Sequence, residues 1–141
     1  MLPRISSNVS VFPTEPDADP LADWIASIAK LRAAVPDDVL VLPSHGEPFR
    51  GLHARLDRLA SGHEKSLMRL RRALAEPKRA IDVFGALFAR PIEGSELLGM
   101  ATGESLAHLN HLVARGEASR ELAADGALRY QMRAGSAQAA A

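Results

Sequence analysis

The sequence contains no cysteine in its 141 residues. That excludes disulfide cross-links, thiolate zinc sites and cysteine nucleophiles together, and it fits a reducing, cytoplasmic setting. Aromatics are scarce. Phe12, Trp24, Phe49, Phe84, Phe88 and Tyr130 are the full set, so a core has to be assembled mainly from Leu, Ala, Val and Ile. Long apolar runs are missing as well: no stretch approaches the ~18 residues of a membrane span, and Met1–Asn8 holds no apolar segment of signal-peptide length. Net charge is absent too, at +0, which removes the overall basic surplus common among nucleic-acid binders.

What is present fits one soluble domain, or a partial domain followed by a small one. The zero net charge hides an uneven spread. Residues 1–50 carry four basic and seven acidic groups, residues 51–80 eight and three, and residues 81–141 five and seven. The basic surplus therefore sits in the middle of the chain.

Pro3, Pro13 and Pro16 make residues 1–18 a looped lead-in without a self-standing element. Asp19-Pro20 then opens a helix, with Asp as N-cap and Pro at the first helical position. Leu21, Trp24, Ile25, Ile28 and Leu31 form one apolar stripe, and Pro36 ends it. Val39-Leu40-Val41-Leu42, closed by Pro43, reads as a strand buried on both faces. Such a strand needs neighbours, and residues 1–75 offer no strong partner strand. Ser44 to Gly51 is a loop by its Gly and Pro content. The spacing of Leu52, Leu56, Leu59, His63, Leu67, Leu70 and Leu74 predicts a long helix from Leu52 to Ala75, bounded by Pro77.

Downstream, Lys78 to Ile81 reads as a short extended piece, and Asp82 as the cap of a short helix holding Val83, Phe84, Leu87 and Phe88. A further helix runs through Leu97, Leu98, Ala101, Leu106, Leu109 and Leu112, stopped by Gly116. Residues 117–122, an Asp125-Gly126 turn and residues 127–132 read as a hairpin. Helix, strand, helix, helix and hairpin is the winged-helix order, with the leucine helix as its first member. Residues 134–141 read as a disordered tail.

Two stretches together carry a recognisable pattern. One is Val41-Leu42-Pro43-Ser44-His45-Gly46-Glu47-Pro48. The other runs from Gly62-His63-Glu64 to Arg69, with Gly103-Glu104-Ser105-Leu106-Ala107-His108-Leu109 and Leu112 to Gly116 downstream. From Ile5 to Arg133 the chain resembles the metallo-β-lactamase superfamily, specifically the glyoxalase-II-like hydrolases that end in a winged-helix extension. The resemblance implies an α+β, mainly helical chain: the terminal helix–strand–helix of an αββα sandwich, followed by a winged-helix domain. Residues 1–51 are then the remnant of the metallo-β-lactamase domain, and residues 52–133 the linking helix and winged helix. The family's His-x-His-x-Asp-His signature occurs nowhere here. The absent sheet and metal ligands are expected upstream, which makes the chain a C-terminal portion or an internally started gene product.

His45 matches the family position that ligates the second of two zinc ions. Zinc there implies activation of water and polarisation of a substrate carbonyl or phosphoryl oxygen. A catalytic zinc takes about three protein ligands, and His45 has no evident fellow, so the chain alone is expected to be inactive and to hold no zinc by itself. His53 lies eight residues on, with no pattern that brings it close. His63, on a leucine stripe, reads as a hydrogen-bonded core residue. His108 and His111, three apart on one helix, could form a metal pair, but no third ligand supports it.

The implied partners are the missing upstream segment or a second copy, and a small ester- or thioester-type substrate; neither a membrane nor a nucleic acid is implied. The alternative is a winged-helix module for nucleic acid or protein. Arg115, Arg120, Arg129 and Arg133 near the wing favour it, whereas Glu96 and Glu104 on the would-be groove helix repel phosphate. The basic face from Arg55 to Arg72 reads as a solvated helix surface. Without the upstream sheet, Trp24, Ile28, Val39 and Val41 are expected to expose apolar surface and promote self-association.

Overall fold

The structure, a computed structural model, describes residues 3–4 and 6–135. The expected tail thus lies, from residue 136 on, outside the described residues. The described residues form four α-helices and one two-stranded sheet: α1 (Pro20–Ala34), α2 (Leu52–Ala73), α3 (Phe84–Leu87), α4 (Ser95–Ala114), β1 (Ala118–Leu122) and β2 (Leu128–Met132). A 3₁₀ turn, Ala80–Val83, leads into α3.

The helices start and stop where local chemistry dictates. The Asp19 carboxylate accepts from the Ala22 N–H at 3.0 Å and caps α1, and α1 ends before Pro36. The two strands pair antiparallel, Ala118 opposite Met132 and Leu122 opposite Leu128. Gly126 takes the positive φ that the turn between them requires. Asp82 does not cap from in front of the helix as expected. It sits inside the 3₁₀ turn, and its carboxylate accepts the Arg79 backbone N–H at 2.9 Å and that residue's guanidinium at 2.8 Å. Lys78 adds one rung to the sheet: its N–H and C=O pair with Tyr130 at 2.9 and 2.8 Å.

The leucine row of α2 builds two apolar clusters. Leu67, Leu70 and Leu74 enter the larger one, with Leu21, Val83, Leu109, Leu112, Ala118 and Tyr130. Leu52, Leu56 and Leu59 enter a smaller one with Ile28. Val9 and Val11 also lie buried in the larger cluster, so the lead-in is part of the core, contrary to its reading as a mere loop. It reaches α4 because Gly103 has no side chain: a Cβ there would meet Ser10 Cβ at 3.0 Å and Val11 O at 3.2 Å. The Val11 N–H donates to the Gly103 carbonyl at 3.0 Å.

The buried strand expected at Val39–Leu42 is not formed. Val41 makes a single bridge, to Phe49. Val39 and Val41 pack half-buried on the smaller cluster, whereas Leu40 and Leu42 are 54% and 75% exposed. One face is covered by α1 and α2 and the other is open, because the described residues hold no neighbouring strand. The exposed apolar surface is carried by Phe12, Leu31, Leu40, Leu42, Met68, Ile81, Leu122, Leu128 and the first turns of α4, while Ile28 is buried and Trp24, Val39 and Val41 are partly buried, contrary to expectation.

These two environments predict opposite responses to substitution. Leu67→Ala, at a site with no exposure, should cost about 2–5 kcal/mol. Leu42→Ser should change stability by less than about 0.5 kcal/mol. Urea unfolding of both variants checks this; equal losses would contradict the assignment of the two faces.

Candidate functional site

His45 stands in a tight loop between the two halves of the Val41–Phe49 bridge, and it is exposed. Gly46 follows it with φ +89°, and a Cβ there would meet the Pro3 ring at 3.0 Å. Only glycine suits both the backbone and the space, which explains the His-Gly pair in physical terms. His45, Glu47, Pro48 and Phe49 face Pro3 and Arg4 across a cavity of about 540 Å³. The loop therefore offers an imidazole and a carboxylate beside an apolar hollow.

Two donors do not make a zinc site. Among the described residues no group of three His, Cys, Asp or Glu side chains is placed to hold a metal ion, and a catalytic zinc takes about three protein ligands plus water. The residues present do not fit a zinc ion by themselves. His53 does not help. Its backbone N–H donates to Asp37 at 2.7 Å, and its ring Nε2 lies 2.8 Å from the Val35 carbonyl, tying the end of α1 to the start of α2.

The other histidines have structural partners. His63 and His108 face each other across α2 and α4, Nδ1 to Nε2 at 3.5 Å, with ring centres 5.6 Å apart. His108 Nδ1 lies 2.9 Å from the Glu104 carbonyl. His111 Nδ1 lies 3.0 Å from the Asp19 carboxylate, so the cap of α1 also anchors α4. His108 and His111 thus turn to different partners, and no metal pair is formed between them.

The cations are mostly engaged as well. Arg115, Arg120 and Arg129 pair with Glu117, Asp17 and Asp125 at 2.6, 2.7 and 2.6 Å. The expected solvated basic face on α2 is only partly so. Arg55 is buried, and its guanidinium is shifted below its ordinary range by burial and by Arg58. Arg71 bridges Glu117 at 2.7 Å and Glu64 at 2.8 Å, and this holds Glu117 below the usual carboxylate range. The periodicity of α2 marks its leucine row but is blind to the partners of residues beside it, so neither arginine was foreseen.

Residues 67–133 match the family described as metallo-beta-lactamase-like, C-terminal domain. In fold, the chain is similar to a beta-lactamase domain protein from Burkholderia ambifaria, with 43% identity and a TM-score of 0.89 over 94% of this chain. It is also similar to a metallo-beta-lactamase family protein from Thermus thermophilus, with 26% identity and a TM-score of 0.76, again over 94% of this chain. The chain spans 39% of the length of each of these neighbours. No curated protein matches the sequence. No helix of the described residues is long and apolar enough to cross a membrane.

The histidine pair sets a pH dependence. Burial, then the neighbouring His108 and His111, pushes the His63 pKa from 6.5 down to about 4, and burial lowers His108 too. The unfolded chain protonates its histidines near pH 6.5, so below that value it binds more protons than the folded chain. Stability is full above pH 6.5 and declines until the folded ring protonates near pH 4. Across that window the unfolding free energy should fall by on the order of 2 kcal/mol from His63 alone. A His63→Leu variant should show a shallower slope; an unchanged slope would sink this assignment.

Proposed function

We propose that the chain is the C-terminal part of a zinc-dependent, glyoxalase-II-like hydrolase of the metallo-β-lactamase superfamily. His45 is one ligand of a metal centre whose other donors come from polypeptide outside this chain. Residues 52–133 form a winged-helix extension that packs against the catalytic domain and borders its pocket. The observation that carries this is the similarity over 94% of the chain to a beta-lactamase domain protein at 43% identity, joined to the C-terminal-domain match at residues 67–133. Supporting it, His45 is exposed at a glycine-sharpened loop on a hollow lined by Phe49 and Pro48. The open face of Leu40 and Leu42 suits a neighbouring strand. Ester- or thioester-type substrates fit an apolar hollow of this kind, and the chain alone is inactive.

The alternative of a nucleic-acid module has less support. α4, the helix that would enter a groove, contains no Lys or Arg, and three of the four wing-side arginines meet carboxylates.

The test mixes this chain with the part of the Burkholderia ambifaria neighbour that it does not match. Zinc binding by calorimetry and thioester hydrolysis should both appear in the mixture and not in the chain alone. His45→Ala should weaken zinc binding in the mixture by at least about tenfold. Hydrolysis by the chain alone, or zinc affinity indifferent to His45→Ala, overturns the reading.

A further inference from the structure

A second hollow, of about 240 Å³, lies between α2 and α4, smaller than the roughly 300 Å³ at which pockets for drug-sized ligands begin. Its occupant is therefore a fragment-sized molecule. Leu59, His63 and Ser66 border it from α2, and Glu104 and His108 from α4. Spacings of three and four place each set on one side of its helix.

The hydrogen bonds determine which ring atoms carry protons. The Glu104 carbonyl can only accept, so His108 Nδ1 donates to it. In the neutral ring His108 Nε2 is then a lone pair, and it accepts from His63 Nδ1. That leaves His63 Nε2 as a lone pair. It belongs to a residue only 5% exposed that borders the hollow, and it has no hydrogen-bond partner. A buried acceptor without a donor is costly, and it calls for an N–H or O–H from a ligand.

Two further groups define what carries that donor. Ser66 Oγ accepts from the Arg69 guanidinium at 3.0 Å, which leaves its own O–H to donate. One turn on from His63, it sets a donor beside the orphan acceptor. The half-buried Glu104 carboxyl is a second acceptor, because it accepts through an oxygen whether or not it holds a proton. The occupant thus needs two donor hydrogens and an acceptor. Donor and acceptor have to sit on different atoms, since side chains three apart on a helix are about 5–6 Å apart at Cβ. A primary carboxamide has that arrangement, with both N–H groups on its nitrogen and the acceptor on its oxygen. An alcohol carries donor and acceptor on one atom, and a carboxylate has no donor. Positive charge is unfavourable here: burial, ahead of the neighbouring histidines, pushes the His63 pKa down to about 4, and Arg58 borders the same hollow. Leu59 offers the rest of the molecule an apolar contact.

We propose that this hollow binds a primary carboxamide, its N–H groups donating to His63 Nε2 and the Glu104 carboxyl and its carbonyl accepting from the Ser66 hydroxyl. Neither His45 nor a metal takes part, so the test is independent of the hydrolase reading.

The probe is benzamide, titrated into the full chain at neutral pH while the His63 ring nitrogens are followed by NMR. Saturable binding is expected, with His63 Nε2 unprotonated in the free chain and shifted in the bound one. N,N-dimethylbenzamide and benzoate, which lack the N–H, and the benzamidinium cation, which lacks the carbonyl, should each bind at least about fivefold more weakly, the ratio that one neutral hydrogen bond implies. Ser66→Ala should weaken benzamide by a similar factor and leave benzamidinium unaffected. The proposal is overturned if His63 Nε2 does not respond saturably, if any of the three comparison ligands binds as well as benzamide, or if Ser66→Ala leaves benzamide binding unchanged.

Discussion

The leucine row of α2 is the constraint on which the remaining architecture depends. Its N-terminal half, Leu52, Leu56 and Leu59, gathers Ile28 of α1 together with Val39 and Val41. Its C-terminal half, Leu67, Leu70 and Leu74, gathers α4, Tyr130 of β2 and the Val9–Val11 segment. One helix therefore fixes two clusters relative to each other, and removing a leucine from it opens a cavity in the cluster that leucine enters. His63 falls between the two halves. A seventh leucine would continue the row; the imidazole instead turns to His108, trading apolar packing for a polar contact between helices.

α4 performs the corresponding task from the other side. The Asn110 amide donates to the Pro16 and Ala18 carbonyls, both at 2.9 Å, and His111 meets the Asp19 carboxylate that caps α1. Gly103 admits the Ser10–Val11 backbone. Three positions within nine residues of one helix thus hold the lead-in at Ser10–Val11 and from Pro16 to Asp19. Hydrogen bonds to groups this well shielded from water are worth more than exposed pairs such as Arg32–Asp57. The helix has little freedom left in its second half, whereas its first turns, with Leu97, Leu98 and Met100 near half exposure, are held by few partners.

Helices and hairpin were legible because their signals are local: Asp19-Pro20, the leucine spacing, and Asp125-Gly126 each act over one turn. What escaped reading from sequence depends on distant groups. Val9 and Val11 are buried only because Gly103, far along the chain, leaves room for them. A continuous run such as Val39–Leu42 has the same pattern whether both faces are covered or one, and here the covering layer exists on one side. Arg55 and Arg71 sit outside the apolar stripe, where periodicity assigns residues to solvent, whereas Arg55 is buried and Arg71 is held by Glu64 and Glu117. His45 stood out through its Pro and Gly neighbours and the superfamily resemblance. Its exposure on a hollow follows from the Gly46 turn, a local cause, while the count of metal donors around it is a tertiary property.

The basic surplus of residues 51–80 shows why charge counts need structure before they imply a partner. Arg71 is taken by Glu64 and Glu117, Arg79 by Asp82, and Arg69 by Ser66 and the Ala86 carbonyl. Arg71 ties the approach to β1 to α2, Arg69 ties α3 to it, and Arg79 closes the 3₁₀ turn, so these cations are unavailable to a polyanion without loss of packing. A nucleic-acid surface needs several Lys or Arg side chains free to displace counterions, and the engaged arginines of α2 and of the β1–β2 hairpin region do not meet that condition. Arg58 differs: it stays outside every ion pair among the described residues and lies beside a buried neighbour of the same sign. It is exposed and solvated, and one such cation is too few to displace the counterions of a polyanion.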